Sequence, residues 1–96
     1  MREPAVYIMA NKRNGTLYVG VTSDLGRRAW EHREAVIPSF TSRYGCKLLV
    51  WYDRYDRMDD AIAREKQIKA GSRAKKLALI ENMNPAWRVL YSDLAL

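Results

Sequence analysis

The chain has 96 residues, 48% of them hydrophobic and 29% charged, with 17 Lys and Arg against 11 Asp and Glu for a net charge of +6. This length supports one small domain with a modest core, expected to run as a single unit over 1–96 with its core at about 5–90, and the hydrophobic share argues against disorder. One Cys and one His exclude an internal disulfide and a Cys/His zinc site, and no apolar run is long enough for a transmembrane helix or placed as a secretory signal would be.

The lone Cys46 points to a reducing compartment, so the expected location is cytoplasmic, with neither a membrane nor a disulfide-linked partner. The positive charge calls for a polyanion, nucleic acid ahead of an anionic membrane surface. It is concentrated in 64–76, REKQIKAGSRAKK, where Arg64, Lys66, Lys69, Arg73, Lys75 and Lys76 face Glu65 alone. A solvated helix face is the plain reading of such a run; a phosphate-facing patch is the functional one.

In chain order, 5–11 (AVYIMAN) reads as a strand, Asn14-Gly15 as a hairpin turn, and 16–21 (TLYVGV) as the return strand. Thr22, Ser23 and Asp24 offer N-caps for a helix over 24–36, ended by Pro38. The run 46–53, CKLLVWYD, has strand length, and Cys46 within it reads as a small core residue. A second helix spans 57–70 with Asp56 as its cap and Gly71 at its end. Ser72 caps a third over 73–83, which Asn84-Pro85 stops. The tail 86–96 is expected to be irregular, with Trp87, Leu90 and Tyr91 packing back on the core. The order β-β-α-β-α-α makes an α+β fold, a small sheet flanked by helices.

The informative residues are polar ones on apolar faces. In the second helix, with Met58 at 0°, Ala61 falls at about −60°, Ile62 at +40°, Glu65 at −20° and Ile68 at −80°, so Glu65 is expected in the middle of the apolar stripe. A carboxylate there must be paired, protonated or metal-bound; a structural Arg-paired Glu is the alternative to a ligand. With this composition a metal would be held by carboxylate and water, which favours Mg²⁺ or Mn²⁺. In the first helix Arg28 and His32 are neighbours at i and i+4, sharing a face with Leu25, Ala29 and Val36. His32 could be a satisfied core histidine, but with Arg28 beside it the pair wants an anion, and an Arg fork suits phosphate.

The hairpin places Tyr7, Met9, Asn11, Tyr18 and Gly20 on one sheet face. A two-residue turn at Asn14-Gly15 would set Tyr7 opposite Thr22 and Tyr18 opposite Asn11, leaving the tyrosines roughly 13 Å apart, and a longer loop would bring them closer. Trp30 lies about 140° from Leu25 and faces away from the core stripe, as a stacking platform, a dimer contact or a singly exposed aromatic.

This set resembles the GIY-YIG nuclease superfamily. The two name motifs correspond to Ala5-Val6-Tyr7 and Tyr18-Val19-Gly20, VTSDLGRRAWEH (21–32) looks like the family's Arg-bearing helix, AIAREKQIK (61–69) like its Glu-bearing helix, and NPAWRVL (84–90) is similar to the C-terminal stretch of small stand-alone bacterial members. The likeness runs from Ala5 to Leu90. Its weight lies in the spacing: tyrosines eleven positions apart, Arg ten positions beyond the second, and Glu inside the AxxREKQIK stretch. GIY is AVY here, Gly26 stands where a better helix former is expected, and AGSRAKK lacks tryptophans, but every proposed catalytic group is kept.

The resemblance implies a three-stranded antiparallel sheet with flanking helices. It implies an endonuclease that hydrolyses phosphodiester bonds of DNA or structured nucleic acid with one divalent cation, Mg²⁺ or Mn²⁺, of use in DNA repair or recombination. By the same resemblance Glu65 would be the metal's protein ligand, Arg28 would stabilise the transition-state phosphate, Tyr7 would be the base for the attacking water, Tyr18 would position water or phosphate, and His32 would assist proton transfer or orient a tyrosine. Asn84 would be the late catalytic Asn, with Asn82 as its rival. Lys66, Lys69, Arg73, Lys75 and Lys76 would bind nucleic acid, DNA first. No separate DNA-binding module fits in this length, so a protein partner could supply specificity. The alternative function is a basic nucleic-acid-binding module of the same fold without chemistry.

Overall fold

The computed structural model describes residues 3–34 and 44–94. Strand β1 (Ala5–Ala10) is buried at every residue, as befits the centre of a three-stranded antiparallel sheet ordered β2-β1-β3. Strand β2 (Leu17–Thr22) and strand β3 (Leu48–Arg54) flank it. Helix α1 (Leu25–Glu34) lies between β2 and β3 in the chain; helices α2 (Met58–Ala70) and α3 (Arg73–Met83) follow β3. The expected α+β class and the order β-β-α-β-α-α both hold.

The sheet is covered on both faces. On one, Val6, Ile8, Ala10 and Val19 pack with Ala61 and Ile68 of α2, Ile80 of α3 and Trp87. On the other, Ala5, Tyr7 and Met9 pack with Leu25 and Ala29 of α1 and with Leu90. Strand β3 serves both layers through a bulge: Ile8 pairs with Trp51 but Met9 pairs with Leu49, so Val50 is the extra residue, and Val50 and Trp51 both join the α2/α3 side.

Several expectations change in detail. The hairpin is not closed by two residues. Asn11 and Thr16 are bonded across its base (Asn11 N–H to Thr16 C=O 3.3 Å), with Asn11 Oδ1 also accepting from Thr16 N–H at 2.8 Å and Gly15 N–H donating to Lys12 C=O at 3.0 Å. Asn14 takes the positive φ of 58°. The pairing is therefore Tyr7 opposite Gly20 and Met9 opposite Tyr18, two residues away from the two-residue-turn register. The same-face assignment survives, because a shift of two preserves the pleat.

Helix α1 is capped by Asp24, whose Oδ1 accepts from Arg27 N–H at 3.3 Å, while Thr22 Oγ1 accepts from Asp24 N–H at 3.0 Å. Val36, Pro38 and the expected end of that helix fall outside the described residues. The N-cap of α2 is Arg57, not Asp56, and it makes no side-chain capping bond; its guanidinium instead reaches Asp59 in the first turn at 3.1 Å. Gly71 and Ser72 sit where expected, with Ser72 Oγ accepting from Lys75 N–H at 3.2 Å. Cys46 is buried just ahead of β3 and not within it. The tail is less irregular than expected: Leu90–Leu94 form a 3₁₀ helix, with Trp87 and Leu90 buried.

Candidate active site

On the α1 side of the sheet Tyr7 points up from the central strand and is 2% exposed. Its hydroxyl lies 2.9 Å from Nε2 of His32, which α1 carries two turns on from Leu25. The Tyr18 ring completes a triangle: centroids are 6.3 Å apart for Tyr7–Tyr18, 5.5 Å for Tyr7–His32 and 5.5 Å for Tyr18–His32. The register makes this possible, since Tyr18 opposite Met9 is the diagonal same-face neighbour of Tyr7.

Gly20, directly opposite Tyr7, is what lets the phenol lie down across β2. A Cβ at Gly20 would stand 2.4 Å from both Cζ and the hydroxyl oxygen of Tyr7. The tyrosine cannot swing away cheaply, because it is buried and bonded to His32. Strand parity alone puts Gly20 on this face, and a glycine facing an inward aromatic across an antiparallel pair is the sequence signal for the close approach.

Burial raises the Tyr7 hydroxyl well above the ordinary tyrosine value, with Tyr18, Glu31 and Glu65 adding to the rise and Arg28 opposing it. Burial and the Arg28 charge lower His32 below the ordinary histidine value, against a smaller opposing effect of Glu31. At neutral pH the pair is thus a protonated phenol beside a neutral imidazole. In the tautomer with hydrogen on Nδ1, Nε2 accepts the Tyr7 proton.

Arg28 stands at the solvent edge with its side chain 45% exposed, and its Nε is 3.5 Å from Glu31 Oε1. Glu31 Oε2 is likewise 3.5 Å from Nε of Arg27. The Glu31 side chain is only 16% exposed, so one half-buried carboxylate braces two arginines by their Nε edges. Sequence reasoning passed over Glu31, although its i+3 and i+4 spacing from Arg28 and Arg27 is the legible signal.

On the opposite layer, α2 docks through Ala61 and Ile68, while Met58 and Ile62 are each 37% exposed. The buried stripe is narrower and rotated from the one expected, so Glu65 lies at its edge and not in its middle. Its side chain is still only 14% exposed, its charge reaches Tyr7, and its partner is the Lys69 ammonium at 3.1 Å. A carboxylate at the stripe edge can be half-buried and still open to a cation.

Asn84 goes elsewhere. It caps α3 and is buried: Nδ2 donates to Val50 C=O at 3.1 Å and to Arg88 C=O at 2.7 Å, and Oδ1 accepts from Arg88 N–H at 2.9 Å. These bonds fasten the tail to the bulge of β3, and none of them reaches the Tyr7–His32 pair. Asn82 is exposed on α3. Of the basic set, Arg73 donates to the carbonyls of Asn14 and Gly15, both at 2.7 Å, tying α3 to the hairpin loop. Lys76 donates to Gly71 C=O at 3.1 Å and Lys69 pairs with Glu65. Lys66 and Lys75 remain exposed. Trp30 is 51% exposed, facing away from the core as expected.

A family model described as the GIY-YIG catalytic domain matches residues 3–78. The chain is similar to the UPF0213 protein of Staphylococcus saprophyticus, at 35% identity over 75 residues covering 78% of this chain and 90% of that one. It is also similar to a UPF0213 protein of Staphylococcus aureus, at 32% identity over 68 residues covering 71% and 83% of the two chains. Its fold is similar to the solution NMR structure of a UPF0213 protein from Bacillus halodurans, with a TM-score of 0.56 and 28% identity over 91% of this chain and 90% of that one. Glu65 and the whole Tyr7, Tyr18, Arg28 and His32 set fall inside the matched span, and the chain belongs to the GIY-YIG family.

Proposed function

We propose that this protein is an endonuclease that hydrolyses phosphodiester bonds of DNA or structured nucleic acid, with Mg²⁺ or Mn²⁺ as cofactor. The GIY-YIG domain is that of a nuclease superfamily, which acts on nucleic acid and generally depends on a divalent metal. The observation that carries the reading here is the Tyr7 hydroxyl, bonded to His32 and lying within the electrostatic reach of Arg28, Glu31 and Glu65.

No cluster of three or more His, Cys, Asp or Glu side chains able to hold a metal occurs among the described residues. The carboxylate assigned to the metal in this reading is that of Glu65, whose ion-pair partner among the described residues is the exposed Lys69. This fits Mg²⁺ or Mn²⁺, which bind through one or two carboxylates and keep several waters. Such an ion supplies charge neutralisation at the phosphate and a more acidic water when bound.

The remaining chemistry falls to the chain's own groups. The high pKa of Tyr7 means that it cannot act as a free phenolate at neutral pH. It can take a proton from the attacking water only while passing its own to Nε2 of His32, which is neutral and 2.9 Å away. The imidazolium that forms is disfavoured by Arg28 and favoured by Glu31. Glu31 holds Arg28 by Nε, and in this reading the Nη groups bind the phosphate oxygens that gain charge in the transition state. Tyr18 walls the site opposite His32 and positions water or phosphate.

Branched, flap, nicked and single-stranded substrates with Mg²⁺ or Mn²⁺ test the proposal. Cleavage by the natural sequence and at least about 100-fold loss in Glu65→Ala and Arg28→Ala are expected. Equal cutting by all three proteins would overturn it. Salt-sensitive binding with no cleavage under either metal would favour the non-catalytic module instead.

A further inference from the structure

Helices α2 and α3 meet at Gly71 and Ser72 and enclose a groove of about 340 Å³ on the outer side of the molecule, away from the Tyr7–His32 pair. Its floor is aliphatic, from Ile68 and Leu79, and its rim carries Arg64, Lys75 and Lys76. No acidic side chain lines it among the described residues. Arg64 is held over the groove by a 2.6 Å hydrogen bond from Nη1 to Gln67 Oε1, and Lys76 is fixed by its bond to the Gly71 carbonyl. Lys75 is exposed.

Two features choose the occupant. A rim of three cations without a carboxylate selects an anion, and it lies within the segment that carries most of the chain's positive charge. An aliphatic floor beside those cations suits a flat apolar group attached to the anion. A volume at the low end of the range for small-ligand clefts, about 300–1,000 Å³, holds one nucleotide and cannot admit a base-paired duplex.

We infer that the α2–α3 groove binds one unpaired nucleotide of a nucleic-acid strand. The base lies against Ile68 and Leu79, and the flanking phosphates meet Lys75 and Arg64. The inference rests on the nuclease reading and narrows it to nucleic acid with a single-stranded portion.

The test is binding of a fluorescein-labelled oligothymidylate and of a blunt duplex of the same length to the full chain in EDTA, which prevents cutting. Ala78 is exposed, lines the groove and lies outside the core. Ala78→Glu and Lys75→Glu are expected to weaken single-strand binding by at least about tenfold. Ala78→Leu, which fills the groove without changing charge, should weaken it by at least about threefold. Lys12→Glu on the hairpin loop should change it less than about twofold. Duplex binding should be the weaker in the unaltered chain and should respond little to Ala78→Leu. Unchanged single-strand binding in the Ala78 variants, with thermal melts showing that they fold, overturns the inference, as does tighter duplex binding by the unaltered chain. Cleavage that ignores the groove variants would leave the nuclease reading intact without the groove; groove-dependent binding without cleavage under Mg²⁺ or Mn²⁺ would do the reverse.

Discussion

The hydroxyl of Tyr7 and Nε2 of His32 stand 2.9 Å apart across 25 residues of chain, one on the central strand and the other on α1. The bond joins a phenol that burial keeps protonated to an imidazole that burial keeps neutral. With the imidazole as proton acceptor, activity should stay high through neutral pH and fall on an acidic limb below the ordinary histidine value of about 6.5. His32→Gln should remove that limb and lower kcat by about 10²-fold, and Tyr7→Phe should cost at least as much. The check is a pH profile of cleavage for the three proteins; an acidic limb unchanged in His32→Gln would assign it to another group.

The same titration affects stability. Because the folded-state pKa of His32 is depressed, the unfolded chain takes up a proton first as pH falls below about 6.5. Stability should therefore drop as pH falls from there through the folded pKa, and level off for this group below it. Urea unfolding between pH 5 and 8 should show that slope, and it should disappear in His32→Gln.

Gly20→Ala tests the close approach beneath Tyr7. The added Cβ meets the phenol at 2.4 Å, so the ring must shift or the strands must part. A loss of about 1–3 kcal/mol in stability is expected, of the size of other overpacking substitutions. Cleavage should fall further than stability explains, because the displaced hydroxyl leaves His32. Thermal melts beside single-turnover cleavage separate the two effects.

Glu31→Gln keeps the shape of the brace and removes its charge. Both arginines reach solvent and their contacts with Glu31 are long, 3.5 Å each, so stability should change by less than about 1 kcal/mol. The rate should fall by about tenfold, as Arg28 loses its fixed orientation and the His32 imidazolium loses a neighbouring negative charge. A loss in kcat with KM nearly unchanged is the expected signature.

Asn84→Ala should act on folding. It strands the carbonyls of Val50 and Arg88 and the N–H of Arg88 in and around a buried site, at a cost of about 2–4 kcal/mol. Activity per folded molecule should be retained at low temperature. Chemical denaturation with cleavage measured on the same samples distinguishes this from a catalytic Asn.

Much of this protein is legible along the chain because it depends on local chemistry. The short apolar, partly β-branched runs at 5–10 and 17–22, the Ser72 cap, the Asn84 stop and the family motifs each involve a few consecutive residues, and the helices and strands form there. Parity within a strand is equally local, which is why Tyr7, Tyr18 and Gly20 could be assigned to one face before their distances were known. Register is different. It depends on how the hairpin loop closes, and bonds between Asn11 and Thr16 move the pairing by two residues and bring Tyr18 beside Tyr7.

The faces of α2 and the place of Asn84 were likewise beyond local reading. A helical wheel shows that Glu65 borders apolar residues. Only the docking of Ala61 and Ile68 on the sheet sets which side is covered, leaving Met58 and Ile62 in solvent and Glu65 at the boundary. The resemblance implies a late Asn at Asn84; the bulge at Val50 offers that side chain a carbonyl 34 residues away, and a buried amide takes the partners that packing brings to it. Composition and spacing along the chain thus set which chemical groups the fold carries. Long-range pairing and packing set which of them meet, because burial and hydrogen-bond satisfaction are settled between elements distant in sequence.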